Sequence, residues 1–322
     1  MFTSIYRLVG PAGLAVYLGR RNPVMKEYFV WLFKILTLVV LALVVLPAVI
    51  AIVAGLSDDG LGGALAGDGK SVAVVEVRGI IDDAKEVLED LYKQSDNEKI
   101  KAIVLRIDSP GGAVGPSQEI YEAVNQLKSK KPIVASMGAV AASGGLYAAL
   151  SATKVFCQPG TITGSIGVIL QIPNFTKVSQ ELGVDMITIK SGKLKDVGNA
   201  FREMTPEERA FMEDTVHKAH NEFIDAVVRG RGLDQNKVRE FADGRVILGT
   251  EAKELKLVDD FGDVFTAARA ALELAGSPLR PEETPKLLYS KDPYGKFMKF
   301  IEGIADLPYK ATRGFELSYL MN

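Results

Sequence analysis

The segment "KAIVLRIDSPGG", residues 101–112, begins as an apolar, β-branched run and ends on a proline and two glycines. Its apolar part is typical of a strand that is buried on both faces, because few polar residues interrupt it. Similar runs lie before and after it, at residues 71–79 and 131–137, and helical spacing fills the intervals at 82–94 and 116–129. Strands that alternate with helices predict an α/β fold with a largely parallel sheet.

Further elements are predicted downstream. The small residues of 141–152 indicate a helix, and "GVDMITIK" (183–190) indicates a strand. A long helix is predicted from Thr205, because Thr205 and Glu208 match a capping box around Pro206 at the first helical position. Helices are also predicted at about 234–242, 249–256 and 263–275, and the proline-rich chain beyond 276 is expected to be loosely structured.

The apolar run at residues 35–55 has no charged residue and is long enough to cross a bilayer as a helix. Basic residues precede it and aspartates follow it, so the positive-inside rule places the N-terminus in the cytoplasm and the chain after about 56 outside. A cleaved signal peptide is the competing interpretation, but the 34 residues before the run favour an uncleaved anchor. Residues 56–70 are glycine-rich and predict a flexible linker.

The net charge and the cysteine content exclude several kinds of protein and site. The chain has 322 residues and a formal net charge of −2, which argues against nucleic-acid binding. Its one cysteine, Cys157, excludes an intramolecular disulfide and a cysteine-rich metal site, and its apolar neighbours predict a buried thiol.

Candidate catalytic residues follow two of the predicted strands. "AVAASGGLYAAL" (139–150) places Ser143 before two glycines, and "DSPGG" (108–112) ends the preceding strand. Carboxyl ends of parallel strands meet at one edge of a sheet, so glycine amides from both turns could form an oxyanion hole beside a serine nucleophile. The plainer alternatives are an ordinary turn for "DSPGG" and a small helix-packing residue for Ser143.

The base for such a serine is less obvious. The chain has two histidines, His217 and His220, whose spacing on the long helix could suit a metal, but we interpret them as part of a solvated helix face. Lys190, Lys193 and Lys195 follow the predicted strand at 183–190, and burial or mutual repulsion could keep one of them neutral. Spacing does not choose among the three. Ser165, in "TITGSIGV", could orient a lysine amine.

Taken in order, "LRIDSPGG", "ASMGAVAASGGLYAA", "TITGSIGV", "IKSGKLKD" and "ADGRVILGTEAKELKLVD" resemble the signal peptide peptidase A family of membrane-bound serine–lysine peptidases over roughly residues 71–275. The resemblance implies a ββα spiral like that of crotonase and the caseinolytic protease. It implies the following roles: Ser143 as nucleophile, Lys195 as general base, Ser165 as the residue that orients the lysine, Gly112, Gly144 and Gly111 as oxyanion-hole residues, and Tyr147 and Leu146 as substrate-pocket residues. It implies no metal or other cofactor.

The resemblance also implies partners. Single-length members of the family suggest a dome-shaped octameric ring in which Ser143 meets Lys195 of a neighbouring subunit, and residues 276–322 could dock on that neighbour. Expected substrates are signal-peptide remnants in the cell membrane and misfolded envelope proteins, cut at small or apolar residues. The alternatives are a serine–lysine membrane protease of the stomatin-partner type, a crotonase-type acyl-CoA enzyme, and a scaffold without activity.

Overall fold

The computed structural model describes residues 27, 30–41, 71–290 and 317–320. Contacts within the chain divide it into two units, Met1–Gly67 and Asp68–Asn322. Residues 30–41 of the first unit are helical, and most of the apolar run predicted to span a membrane lies outside the described residues. Within the described residues, none of the helices combines the length and the apolar character needed to cross a bilayer.

The second unit alternates strands and helices from residue 71 onward. Its strands are β1 (Ser71–Ile81), β2 (Ile100–Ala113), β3 (Ile133–Ala141), β4 (Lys154–Cys157), β5 (Ile162–Gly164), β6 (Ile169–Leu170), β7 (Val246–Leu248), β8 (Asp260–Phe261), β9 (Lys286–Tyr289) and β10 (Leu317–Leu320). Its helices are α1 (Lys85–Asp96), α2 (Val114–Leu127), α3 (Gly144–Ala149), α4 (Thr176–Glu181), α5 (Pro206–Arg231), α6 (Gln235–Phe241), α7 (Gly249–Glu254) and α8 (Val264–Leu274).

The sheet is parallel at its centre, as the alternation of strands and helices predicts. Strand β2 pairs in parallel with β1 on one side and with β3 on the other, and β3 pairs in parallel with β4. The pairing of β2 with β3 ends at Ser109, and beyond it β10 pairs antiparallel with Gly111–Ala113 and with β6. The parallel strands therefore deliver their carboxyl ends to the region that holds Ser143.

Both faces of the sheet are buried. Along β2, Ile103, Leu105 and Ile107 belong to a large core cluster that includes residues of α2, α3 and α5, whereas Ala102 and Val104 pack with residues of α8. Successive strand residues point to opposite faces, so a strand covered on both sides needs apolar residues at nearly every position. The continuous apolar run in residues 101–112 is therefore explained by the burial of β2 on both faces.

The structure corrects three predicted elements. "DSPGG" is not a turn, because β2 continues through it and pairs with β1 up to Gly112. The helix predicted at 141–152 is shorter, α3 beginning only after Ser143, whose φ of 53° is incompatible with a helix. Residues 184–190 carry no secondary structure and are exposed, so the predicted strand at 183–190 is wrong within the described chain, where no strand pairs with it.

Other predictions are confirmed. Helix α5 begins with a complete capping box, since Glu208 N donates to Thr205 Oγ1 and Thr205 N donates to a Glu208 carboxylate oxygen. Cys157 is a buried free thiol, and burial raises its pKa to about 11. The chain beyond 276 is more ordered than predicted where β9 pairs with β1. The described residues 317–320 pair with strands of their own chain, and docking of the tail on a neighbour stays a prediction.

Candidate active site

Ser143 sits at the junction between β3 and α3 in a strained backbone conformation. Its φ is 53° and its ψ is −118°, a region that non-glycine residues rarely occupy. Two hydrogen bonds hold it there: Ser143 N donates to the Gly164 carbonyl at 2.9 Å, and Tyr147 N donates to the Ser143 carbonyl at 2.8 Å. Such strain costs about 1–3 kcal/mol and is concentrated at functional sites. The backbone geometry therefore makes Ser143 a candidate functional residue.

The Ser143 hydroxyl is buried and has no hydrogen-bond partner among the described residues. Leaving a buried polar group unpaired costs about 1–3 kcal/mol, so native structures usually avoid it. Other buried serines nearby are satisfied: Ser136 Oγ accepts from Arg106, and Ser151 Oγ donates to the Ala148 carbonyl. The Ser143 hydroxyl is thus an exception among the buried serines of the described residues.

The predicted oxyanion-hole glycines lie together beside Ser143. A methyl group on Gly144 would lie 3.2 Å from the Gly112 nitrogen and 3.3 Å from the Gly111 Cα. Gly111 N already donates to Ser109 Oγ at 3.1 Å. This engagement makes Gly111 the least suited of the three glycines to donate to an oxyanion.

Replacing Gly144 by alanine is expected to lower kcat/KM for peptide cleavage about 100-fold, because the new methyl group would crowd the Gly112 amide. The same methyl group would lie 2.4 Å from Ser117 Oγ, so overpacking should also cost about 1–3 kcal/mol of unfolding free energy. Adding Ser117→Ala removes that second clash. The double variant should regain stability in urea unfolding but not activity, and recovery of both would contradict the oxyanion role.

Ser165 is joined to Ser143 through its neighbour Gly164. It follows β5 with a φ of 52°, and its backbone N–H donates to the Arg245 carbonyl at 2.7 Å. Ser165 is nearly buried and lines a cavity of about 370 Å³ together with His217, His220 and other residues. The structure therefore brings together Ser143, Ser165 and the glycine pair that the sequence indicated.

Lys195 is not part of this cluster. No hydrogen bond or ion pair of the described residues links its side chain to Ser143 or Ser165. Lys190 pairs with Asp196 and Lys193 pairs with Glu207, whereas the exposed side chain of Lys195 has no such partner in the described part of the chain. Of the three lysines, Lys195 is therefore the one without an ion-pair partner among the described residues.

Arg202 fixes the backbone that carries Lys195. Its guanidinium donates to both Glu208 carboxylate oxygens, at 2.8 and 2.5 Å, and to Asp196 at 3.0 Å. These hydrogen bonds lower the pKa of Asp196 and of Glu208 to about 2 in each case. Because Asp196 follows Lys195 directly and Glu208 caps α5, Arg202 ties the lysine loop to the start of that helix.

Arg202→Met should lower kcat/KM about 100-fold, because loss of this anchor would displace the loop that presents Lys195. Carboxylates with a lowered pKa contribute stability above about pH 4, and that contribution is lost as the pH falls towards 2. In limited proteolysis at pH 7, residues 183–205 of the Arg202→Met variant should therefore be cut as readily as those of the wild type are cut at low pH. Arg209→Met, on the exposed first turn of α5, is the matched control, and equal loss in both variants would contradict the role of Arg202.

Leu146 and Tyr147, which the resemblance assigned to a substrate pocket, are core residues in the structure. Both are buried on α3, and the Tyr147 ring centroid lies 5.2 Å from that of Tyr121 and 5.0 Å from that of Phe223. Burial raises the pKa of Tyr147 to about 12. They support α3 beneath the serine, and their placement does not favour contact with a substrate.

The segment before Lys195 carries an unusual amount of exposed apolar surface. Ile187 is 85% exposed and Ile189 is 96% exposed, and the same stretch contains other exposed apolar side chains: Phe175, Val178, Leu182, Val184 and Met186. Contiguous apolar surface of this kind commonly marks an interaction site. Lys195 therefore lies next to a surface suited to contact another molecule.

Comparisons with known proteins match this chain to proteases. A family model described as peptidase family S49 matches residues 125–277, and one described as Clp protease matches residues 73–163. The Synechocystis sp. protein slr0021, whose name gives it as a candidate protease, is 43% identical over 209 residues, covering 64% of this chain and 75% of that protein.

Longer relatives match over smaller fractions of their length. The chloroplastic serine protease SPPA of Arabidopsis thaliana is 34% identical over 202 residues, covering 62% of this chain and 30% of that protein. Protease 4 of Haemophilus influenzae is 32% identical over 213 residues, covering 63% of this chain and 34% of that protein. Both family models cover the region of Ser143, and the match to slr0021 covers 75% of that protein, so the chain belongs to peptidase family S49, a family of serine-type proteases.

Proposed function

We propose that the chain is a membrane-anchored serine endopeptidase in which Ser143 is the nucleophile and Lys195 the general base. The observation that carries this proposal is the Ser143 hydroxyl, buried without a partner on a strained backbone beside Gly112 and Gly144. A nucleophile needs a fixed hydroxyl, a base within reach and donors for the developing oxyanion. The described chain holds the hydroxyl and the donors.

The reaction is acyl transfer. Neutral Lys195 accepts the Ser143 proton while Oγ attacks the peptide carbonyl, and the amides of Gly112 and Gly144 stabilise the oxyanion. The tetrahedral intermediate collapses, Lys195 donates the proton to the leaving amine, and an acyl ester remains on Ser143. Water, deprotonated by Lys195, then hydrolyses the ester and releases the second product.

The base reaches the serine from a second copy of the chain in this proposal. Lys195 is exposed without a partner in the described residues, and it adjoins the exposed apolar surface around Ile187 and Ile189. The cavity beside Ser165 is large enough for the lysine side chain of a second copy and for parts of the residues that flank that lysine. A head-to-tail contact that repeats and closes gives a ring, here an octameric one.

Peptide binding is supported by the position of β10. Residues 317–320 lie as an antiparallel strand between Gly111–Ala113 of β2 and Ile169–Leu170 of β6. An extended peptide in the same place would gain main-chain hydrogen bonds from both strands and pass beside Gly112. We infer that cleaved signal peptides and misfolded envelope proteins bind there as strands that take the place of β10.

The proposed location is the cell membrane, with residues 35–55 as a single span and the catalytic domain on the outer side. The apolar composition of the run and the basic residues before it support this topology. Within the described helix at 30–41, Leu36 and Leu38 are largely exposed, as a lipid-facing segment requires.

The test uses the full chain in detergent with a synthetic signal peptide and a fluorophosphonate that reacts with activated serines. The peptide should be cleaved at small or apolar residues, and the fluorophosphonate should modify Ser143 in peptide mapping. Modification of Ser165 instead would reassign the nucleophile, since Ser165 shares the positive φ. Cleavage that persists after complete modification of Ser143 would overturn the proposal.

A further inference from the structure

His220 lies against the cavity that Ser165 also lines. Its Nε2 is buried and has no hydrogen-bond partner among the described residues, and its ring lines the same cavity of about 370 Å³ as Ser165. We propose that His220 is a positioning residue for the catalytic lysine, its Nε2 accepting a hydrogen bond from the Lys195 amine of a second copy. This inference rests on the proposed function.

Helix α5 explains how the histidine reaches the cavity. Met212, Ala219 and Phe223 form its buried stripe, and His220 lies at the edge of that stripe, half-buried. His217, one turn earlier, is exposed. The sequence-based interpretation of both histidines as a solvated face is therefore wrong for His220, whose Nε2 is buried and has no hydrogen-bond partner among the described residues.

The other polar groups of the cavity are less suited to hold an amine. Asp243 is held by Arg245, whose guanidinium donates to both carboxylate oxygens, with distances of 2.8 Å to Oδ1 and 2.6 Å to Oδ2. That pairing lowers the pKa of Asp243 to about 2. An ammonium bound by a free carboxylate would be stabilised in its charged form and would be a poor base. The engaged Asp243 leaves Ser165 and His220, whose Nε2 has no partner among the described residues, as the acceptors proposed for the amine.

Two acceptors are what a lysine base requires. A neutral primary amine has two N–H groups and one lone pair. If Ser165 Oγ accepts one N–H and His220 Nε2 accepts the other, the remaining lone pair is directed to Ser143 Oγ. The imidazole acts here in the tautomer that carries its hydrogen on Nδ1. His220 thus orients the base without itself transferring a proton.

Three substitutions at one position test which atom matters. In His220→Gln the amide group can reach the position of Nε2 and supply an oxygen acceptor, whereas the shorter His220→Asn side chain reaches only the position of Nδ1. His220→Leu removes the acceptor and keeps apolar bulk. We expect the rate of fluorophosphonate labelling of Ser143 to fall about 30-fold in the Asn and Leu variants and less than about threefold in the Gln variant.

The readouts separate this role from structural or substrate effects. The fluorophosphonate lacks peptide side chains, so a histidine that only recognised substrate would change the KM for peptide and leave labelling at the wild-type rate, which would overturn the inference. Equal loss in the Gln and Asn variants would indicate a structural role and would also overturn it. Glu213→Leu, at an exposed position of the same helix that does not line the cavity, is expected to change labelling less than about threefold.

Ser143→Ala and Lys195→Ala separate the two levels of the proposal. If both lose peptide cleavage while the Asn and Leu variants of His220 label at the wild-type rate, the inference alone fails. If Lys195→Ala keeps its peptide cleavage, the proposed function is wrong, and the inference about His220 is wrong with it. Light scattering of each variant shows whether assembly is intact, and the comparison of Gln with Asn is made between assembled proteins.

Discussion

Replacing Ser143 by alanine is expected to lower kcat for signal-peptide cleavage about 10⁴-fold or more, because no nucleophile then remains to form the acyl ester. Lys195→Ala should have an effect of similar size, since Ser143 Oγ would keep its proton. A serine and its base act as one unit, so the double variant should be no slower than either single variant. The measurement is turnover of a fluorogenic signal peptide by the full chain.

The chain offers a matched control for each substitution. Ser95, near the end of α1, is also a buried serine whose hydroxyl lacks a partner among the described residues, but its helix is regular. Lys193 lies two positions before Lys195 and pairs with exposed Glu207. Ser95→Ala and Lys193→Ala should keep activity within about threefold. An inactive Lys193→Ala beside an active Lys195→Ala would move the base to the other lysine.

The layered fold could be predicted from sequence because burial leaves a pattern in it. Continuous apolar runs at 71–79, 101–108 and 131–137 became parallel strands because helices cover both faces of the sheet. The capping box of α5 was predictable because it depends on residues only three positions apart. The short strands β5, β6 and β7 could not be predicted, because two or three residues carry no periodicity.

Residues 183–190 show where the sequence pattern was misleading. Their β-branched and apolar residues are typical of a strand, yet a strand needs a partner and none in the described chain pairs with them. The same residues are largely exposed, with Ile189 the most exposed of the large apolar side chains. Apolar residues that contact another molecule and apolar residues that are buried in a core give the same sequence pattern.

The features of the candidate site that depend on residue type could be predicted from the sequence. The features that depend on packing could not. The clustering of Ser143, Ser165 and the glycines follows from their places at the carboxyl ends of neighbouring strands. The burial of Leu146 and Tyr147 could not be predicted, because apolar residues after a nucleophile suit a pocket and a core equally well. His220 differs from His217 only by its position relative to the buried stripe of α5, which depends on the exact rotation of that helix.

Co-assembly of two inactive variants should restore activity to about a quarter of the wild-type value. If the dyad is shared across a head-to-tail contact, random mixing leaves about one site in four with an intact Ser143 from one subunit and an intact Lys195 from its neighbour. The Ser143→Ala and Lys195→Ala chains carry different affinity tags, are co-expressed, and are purified on both tags in succession. Turnover of the fluorogenic peptide by this mixed assembly is compared with that of each variant alone.

If the dyad instead lies within one chain, no activity should be restored. Neither variant then contains both residues, and a mixed assembly should remain as inactive as its parts. Mixing Ser143→Ala with the double variant is the control, since no Ser143 is present and no activity can return. The exposure of Lys195, its lack of a partner in the described chain and the apolar surface beside it all favour restoration. An inactive but fully mixed assembly would require the lysine to reach Ser143 by a rearrangement of its own loop, against the anchoring of that loop by Arg202.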